Sequence, residues 1–381
     1  MRTGTWYTLF SAGFRPFFAG AAGVAVIWMG LWAVFLLSGT PAYDNIPPVL
    51  WHGHEMLFGF AMAVIAGFVL TAMQNWTGLK PVTPGQLMLL VVIWLAGRLA
   101  FAFSGCVPLW LLSLLDLLFL PTLLVPVART LIKAGNRRNY VFIGMLPVFW
   151  ILNVLLHLEI HQYVFGIAYK TLDITVFLLT TLLVFMGGRV IPFFTANRLP
   201  DAAPRQWPWL NWAATLATLA LIPVYLLTGR DDALIPWLAV AAVLNAARLI
   251  AWKPWRTLHE PMLWILHLGY AWIPVGLMLL TVQLYSGAYP WSAGVHALMA
   301  GAVSTLILGM IARVTLGHTG SPIRASGLIV AGFACITAAA LVRVSAAVLM
   351  APLWISAVAG LLWGTAFLLY LVVYTPVLLK D

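Results

Sequence analysis

Apolar residues run through the chain in stretches of about twenty, each closed by a short polar segment, and the pattern repeats twelve times. The runs predict helices near residues 17–37, 55–74, 86–105, 108–128, 141–161 and 167–187. Six more are expected near 208–228, 234–252, 261–284, 294–314, 327–348 and 353–378. Each is long enough to cross a hydrocarbon layer of about 30 Å at about 1.5 Å per residue. The stretches are continuously apolar and do not alternate, which argues against a membrane barrel. Backbone groups inside lipid must bond within their own segment, so the expected fold is all-α, a polytopic membrane bundle of about twelve transmembrane helices. Residues 1–381 are expected to form one integral membrane domain. The first run, from Phe17 onward, is too long for a cleaved signal and lacks a small-residue cleavage site, so it is expected to be a retained helix. Pro41-Ala42-Tyr43-Asp44 and Gly135-Asn136-Arg137-Arg138 punctuate the pattern as loops.

Composition agrees with this class: 63% of residues are hydrophobic and 8% charged. The charges add an orientation. In the predicted loops, fifteen Lys and Arg residues, from Arg2 and Arg15 through Arg137 and Arg138 to Lys380, fall on the side of the N-terminus, against Arg230 alone on the other. Both termini are therefore expected in the cytoplasm, in keeping with an even helix count. The net charge of +10 reads as a topology signal and an attraction to anionic headgroups of the lipid bilayer. It does not read as a nucleic-acid footprint, because no soluble basic domain is present.

The polar residues inside the runs carry the candidate chemistry, since ionisable groups at membrane depth are costly and usually functional. Five of the eight histidines sort to the outer side: His52, His54, His157, His161 and His296. His157 and His161 stand four apart, which places both rings on one helical face. His52 and His54 flank Gly53 in chain expected to precede the second helix, where local geometry can aim one inward and the other at a second site. Glu55, Arg98, Asp116 and Asp173, with Lys170, supply charges on the same side for orienting ligands or relaying protons. Met56 follows closely, and nitrogen with thioether suits copper better than a hard cation. His267 lies apart in the inner half of the ninth helix, as a second-level ligand or a helix-to-helix hydrogen bond. A lone histidine at a helix end is ordinarily an interfacial hydrogen-bonding residue; five on one side outweigh that reading.

Several chemistries drop out. Cys106 and Cys335 are too few for a thiolate cluster, and without a C-x-x-C-H sequence any haem would be held non-covalently, as a b-type haem. No phosphate-cradling Gly-rich loop followed by Lys-Ser or Lys-Thr occurs, which argues against direct nucleotide use. Gly187-Gly188-Arg189 and the Arg313-Val314-Thr315 segment are expected to end the sixth and tenth helices at similar depths. With the echo of His54-Glu55-Met56-Leu57 in His259-Glu260-Pro261-Met262, they give a weak hint of internal duplication.

Five motifs in order, Gly13-Phe14-Arg15-Pro16-Phe17-Phe18, Trp51-His52-Gly53-His54-Glu55-Met56, Asn75-Trp76-Thr77-Gly78, Gly188-Arg189-Val190-Ile191-Pro192-Phe193-Phe194-Thr195 and Gly317-His318-Thr319-Gly320, resemble the NnrS family of bacterial membrane proteins. The resemblance runs from residue 13 to about 324. It implies a multi-pass protein of the bacterial inner membrane with a part in nitric oxide metabolism and nitrosative stress, and with haem and copper as bound metals. The leading expectation is a haem protein, with copper as a second metal, that binds nitric oxide and reduces or detoxifies it as an oxidoreductase. Its electrons would come from an external carrier or a quinol. Candidate haem ligands are His52, His54, His157 and His296; the candidate metal-binding set adds His161 and His267; Glu55, Arg98, Asp116 and Asp173 are the candidate catalytic groups. A transporter or metal-handling protein, and a gas-binding sensor without turnover, are the alternatives.

Overall fold

A computed structural model describes residues 5–40 and 46–380. Arg2 and the Pro41-Ala42-Tyr43-Asp44 stretch lie outside the described residues. Twelve helices are long and apolar enough to cross a membrane, and no strand occurs among the described residues. In chain order α1 spans Phe14–Ser38, α2 Pro48–Thr77, α3 Pro84–Ala102, α4 Leu109–Lys133, α5 Arg137–Ile160 and α6 Ala168–Arg198. The second half contains α7 Pro208–Thr228, α8 Asp232–Ala251, α9 Pro261–Ser286, α10 Ser292–His318, α11 Gly327–Val348 and α12 Leu353–Leu378. Every expected run becomes one of these spans.

Three ends differ from the sequence reading. The helix α2 starts at Pro48, so His52, Gly53 and His54 are helical and not loop residues. Pro47 and Pro48 look like a loop, yet a proline at the first helical position costs nothing, because its missing N–H has no intrahelical partner there. Helix α6 continues through Gly187-Gly188 and Pro192 to Arg198, so this motif lies inside the helix and does not end it. Likewise α10 begins at Ser292 and runs on to His318.

Arg15 donates to the carbonyls of Leu378 (2.6 Å) and Lys380 (2.7 Å), so both ends of the described chain meet at one face of the bundle. We call the opposite face distal. The most deeply buried helices are α2, α6 and α10, with α9 next; the others present a larger share of their surface outward. Outward positions such as Leu89, Val92 and Leu99 on α3 and Val240 and Val243 on α8 are exposed and apolar, as a lipid-facing surface requires. Small residues let the inner helices touch: a Cβ on Gly294 would lie 2.4 Å from Leu280, and one on Gly301 2.6 Å from Trp272, so α9 and α10 pack at close range.

Two of the central helices carry a π-helical turn in their distal half, Glu55–Ala61 in α2 and Ala297–Val303 in α10. Each begins one residue after a candidate histidine. Such turns are rare and loosen the backbone ladder. Side chains answer: the Trp94 indole donates to Gly59 O at 2.9 Å, and Ser304 Oγ to Met299 O at 2.9 Å.

Candidate cofactor and metal site

All the candidate groups except His267 gather in the distal half, in two compartments on opposite sides of α2. Residues two apart on a helix point about 200° apart. His52 and His54 therefore face different neighbours, and α2 is the wall between them.

The first compartment is an ionic cluster among α1 to α5. Asp116 Oδ2 accepts from Asn153 Nδ2 (2.7 Å) and His157 Nε2 (2.9 Å), and lies 3.1 Å from His54 Nε2. Its other oxygen pairs with Arg98, which also pairs with Glu55. Glu55 in turn lies 3.1 Å from His54 Nδ1 and accepts from the Trp28 indole. His54 and Glu55 have no exposed surface. Glycine makes the room: a Cβ on Gly59 would stand 2.6 Å from Arg98 NH1, and one on Gly97 3.1 Å from the Asp116 Cα. Phe101 closes the cluster, its ring 4.0 Å from the His54 ring at an interplanar angle of 16°.

The donors and acceptors fix much of the protonation. Both His54 nitrogens face acceptors, since Nε2 also lies 3.0 Å from Asn153 Oδ1. An imidazole satisfies such surroundings only with two N–H groups, as imidazolium, or with a metal ion in place of a proton. The charges say the same: Glu55 and Asp116 outnumber Arg98 by one, and a buried excess charge is costly until a cation balances it. Ser113 Oγ bridges His157 Nδ1 and His161 Nε2, 2.8 Å from each. With His157 Nε2–H given to Asp116, Ser113 donates to His157 and accepts from His161. One ligand atom from each of His54, Asp116 and His157 lies within 4.8 Å of the other two, a spacing open to one metal ion. Two imidazoles and a carboxylate suit a borderline divalent ion such as copper or zinc.

The second compartment is a cavity of about 410 Å³, in the usual range of cofactor pockets, enclosed by α1, α2, α6, α10, α11 and α12. Exposed Val49, Tyr169 and Pro290 form its distal rim. Met29, Met56, Leu57, Phe60, Met299 and Trp363 supply apolar wall. Into this space come His52 and His296, whose ring centres are 6.5 Å apart and whose planes differ by 12°. Trp32 stacks on His52 at 4.3 Å. His296 Nδ1 donates to Ser292 O at 2.7 Å, which leaves Nε2 without a proton, the arrangement of a metal-binding histidine. His52 Nδ1 is buried with no hydrogen-bond partner. At the rim, Asp173 accepts from Tyr225, from Trp291 Nε1 (3.0 Å) and from Arg230 (2.8 Å).

The structure thus divides the residues singled out from the sequence. His54, Glu55, Arg98, Asp116 and His157 meet in the cluster, with His161 attached through Ser113. His52, His296 and Met56 line the cavity, and Asp173 sits at its rim, away from Asp116. Lys170 donates to Leu226 O at 2.9 Å, and Glu159 caps the start of α6 through the backbone N–H groups of Gly166, Ile167 and Ala168. His267 lies near the terminal face, bonded to Leu263 O at 3.1 Å within its own helix; the helix-to-helix bond expected of it is not made. Sequence reasoning missed Asn153, Ser113, Trp28, Trp32 and Arg343. Asn153 was within reach, because 153, 157 and 161 make one helical stripe. Arg343, alone in an apolar run, carried the same signal as Arg98.

Comparison with known proteins adds one positive finding. No curated protein matches the chain. The family model described as NnrS protein matches residues 8–381, nearly the whole length, and the chain belongs to the NnrS family.

Proposed function

We propose that the chain is a multi-pass protein of the bacterial inner membrane, with both termini in the cytoplasm, that holds a non-covalent haem in the distal cavity and binds nitric oxide there. One observation carries this reading. The rings of His52 and His296 stand with centres 6.5 Å apart in a mostly apolar space, His52 Nδ1 buried without a hydrogen-bond partner and His296 Nδ1 engaged by Ser292 O so that its Nε2 is left as the acceptor. Two imidazoles on one metal atom have ring centres about 6 Å apart, given metal–nitrogen bonds of about 2.0–2.1 Å. The residues fit the group. A haem held there would supply an iron atom that could take a small gas molecule when one of the two imidazoles lets go.

The chain's own residues do the rest. Apolar walls exclude water and admit an uncharged, lipid-soluble gas. Trp32 fixes the plane of His52, and Ser292 O fixes the tautomer of His296. Reductive removal of the gas further requires electrons from a quinol or an external carrier, and protons, which the cluster behind α2 is built to hold. The transporter alternative expects interrupted helices at the midplane. The twelve spans carry two π turns, both in the distal half, and a single turn residue, Leu118, within α4.

A second metal has its own support. The His54–Asp116–His157 geometry suits a divalent ion, with copper the first candidate, whose charge would balance the excess of Glu55 and Asp116 over Arg98.

An absorption spectrum of the purified protein tests the haem reading. A Soret band that shifts on adding nitric oxide is expected; a preparation without haem, unable to take it up, overturns the proposal.

A further inference from the structure

We propose that Arg343 anchors an acidic group, a carboxylate, of the molecule that fills the distal cavity. The inference rests on the haem reading, and the acids it concerns are then the two propionates of the porphyrin.

Arg343 is a cation in the distal part of an otherwise uncharged α11, and its side chain lines the cavity. It is half-buried and makes no hydrogen bond or ion pair. Of the other cations of the distal half, Arg98 is matched by Glu55 and Asp116 and Arg230 by Asp173, while Lys170 gives its ammonium to the Leu226 carbonyl and does not line the cavity. Among the residues around the cavity Asp173 is the one acid, and it is already bound by Arg230, Tyr225 and Trp291. Glu55 and Asp116 lie behind α2. The cavity therefore carries one uncompensated positive charge, which in a low-dielectric space is costly until an anion meets it.

Position agrees. Arg343 lines the same cavity as His52 and His296, so a molecule gripped by those imidazoles brings its periphery toward the guanidinium. The planar fork of an arginine matches a carboxylate through two parallel hydrogen bonds. A snorkelling arginine, the bland alternative, would send its head to the headgroups and would not care what occupies the cavity.

The test uses the full-length purified protein, freed of porphyrin and titrated with protohaem IX or with its dimethyl ester, with Soret absorbance as readout. Wild type should bind the free acid on the order of tenfold or more tighter than the diester. Arg343→Gln should remove that preference while leaving diester affinity in place, and Arg343→Lys should keep part of it. A glutamine variant with the full wild-type preference overturns the assignment. Should the glutamine variant bind neither porphyrin, the lysine variant decides: preference kept supports the charge, preference lost removes it. Failure of wild type to bind either porphyrin instead ends the haem reading, and this assignment with it.

Discussion

Arg98 on α3 and Asp116 on α4 form an ion pair with almost no exposed surface, and each holds a second partner from α2: Glu55 for the arginine and His54 for the aspartate. Three helices are thus tied by one guanidinium and two carboxylates. Removing the Asp116 charge leaves Arg98 and His54 to share Glu55 alone, a buried imbalance that costs far more than losing a pair whole.

Asp116→Asn should therefore lower the stability of the purified protein by about 3–5 kcal/mol. The thermal midpoint in detergent measures it. An unchanged midpoint would mean that Glu55 and water already satisfy Arg98.

Loss of either cavity imidazole should strip haem. His52→Ala and His296→Ala should each weaken binding by at least the roughly 10- to 100-fold that loss of a mere outer partner of a ligand costs. His259→Ala, exposed at the terminal face, should leave haem content alone. Pyridine haemochrome assay of the three variants decides, and equal content in all of them refutes the pairing.

Added copper or zinc should stabilise the wild type if the cluster takes an ion, by about 2.7 kcal/mol at a hundred times the dissociation constant. His157→Ala should abolish that gain. A gain that survives the substitution places the ion elsewhere.

Gly188→Ala tests the terminal half. A Cβ there would fall 1.2 Å from Arg248 NH2, displacing a guanidinium that donates to Val184 O (2.9 Å), Asn211 Oδ1 (2.8 Å) and Tyr270 OH (3.1 Å). The expected loss is about 3–5 kcal/mol, the cost of stranding a buried charge. A midpoint within about 1 °C of wild type would show that α6 yields instead.

The twelve spans were legible because a bilayer asks for one length of apolar residue and the chain supplies it twelve times. The gathering of ionisable groups in one half was legible for the same reason. Helix ends were less so. Gly187-Gly188 and Pro192 look like a stop, yet in α6 the glycine pair makes room for Arg248 and Tyr270, and the helix passes through. The split of the histidines into two compartments was not written in spacing alone. It depends on which helices lie beside α2, and lateral order comes from packing among distant segments: Trp32, Ser292 and Arg343 are all far from His52 in the chain.

Placing His52 and His54 on opposite sides of a single helical turn joins the fates of the two rooms. Whatever tugs on the first imidazole torques the peptide planes that seat the second, along with the loosened turn after Glu55. A shift of this backbone on filling the apolar chamber would therefore reach the salt-bridged side chains behind it without through-space contact.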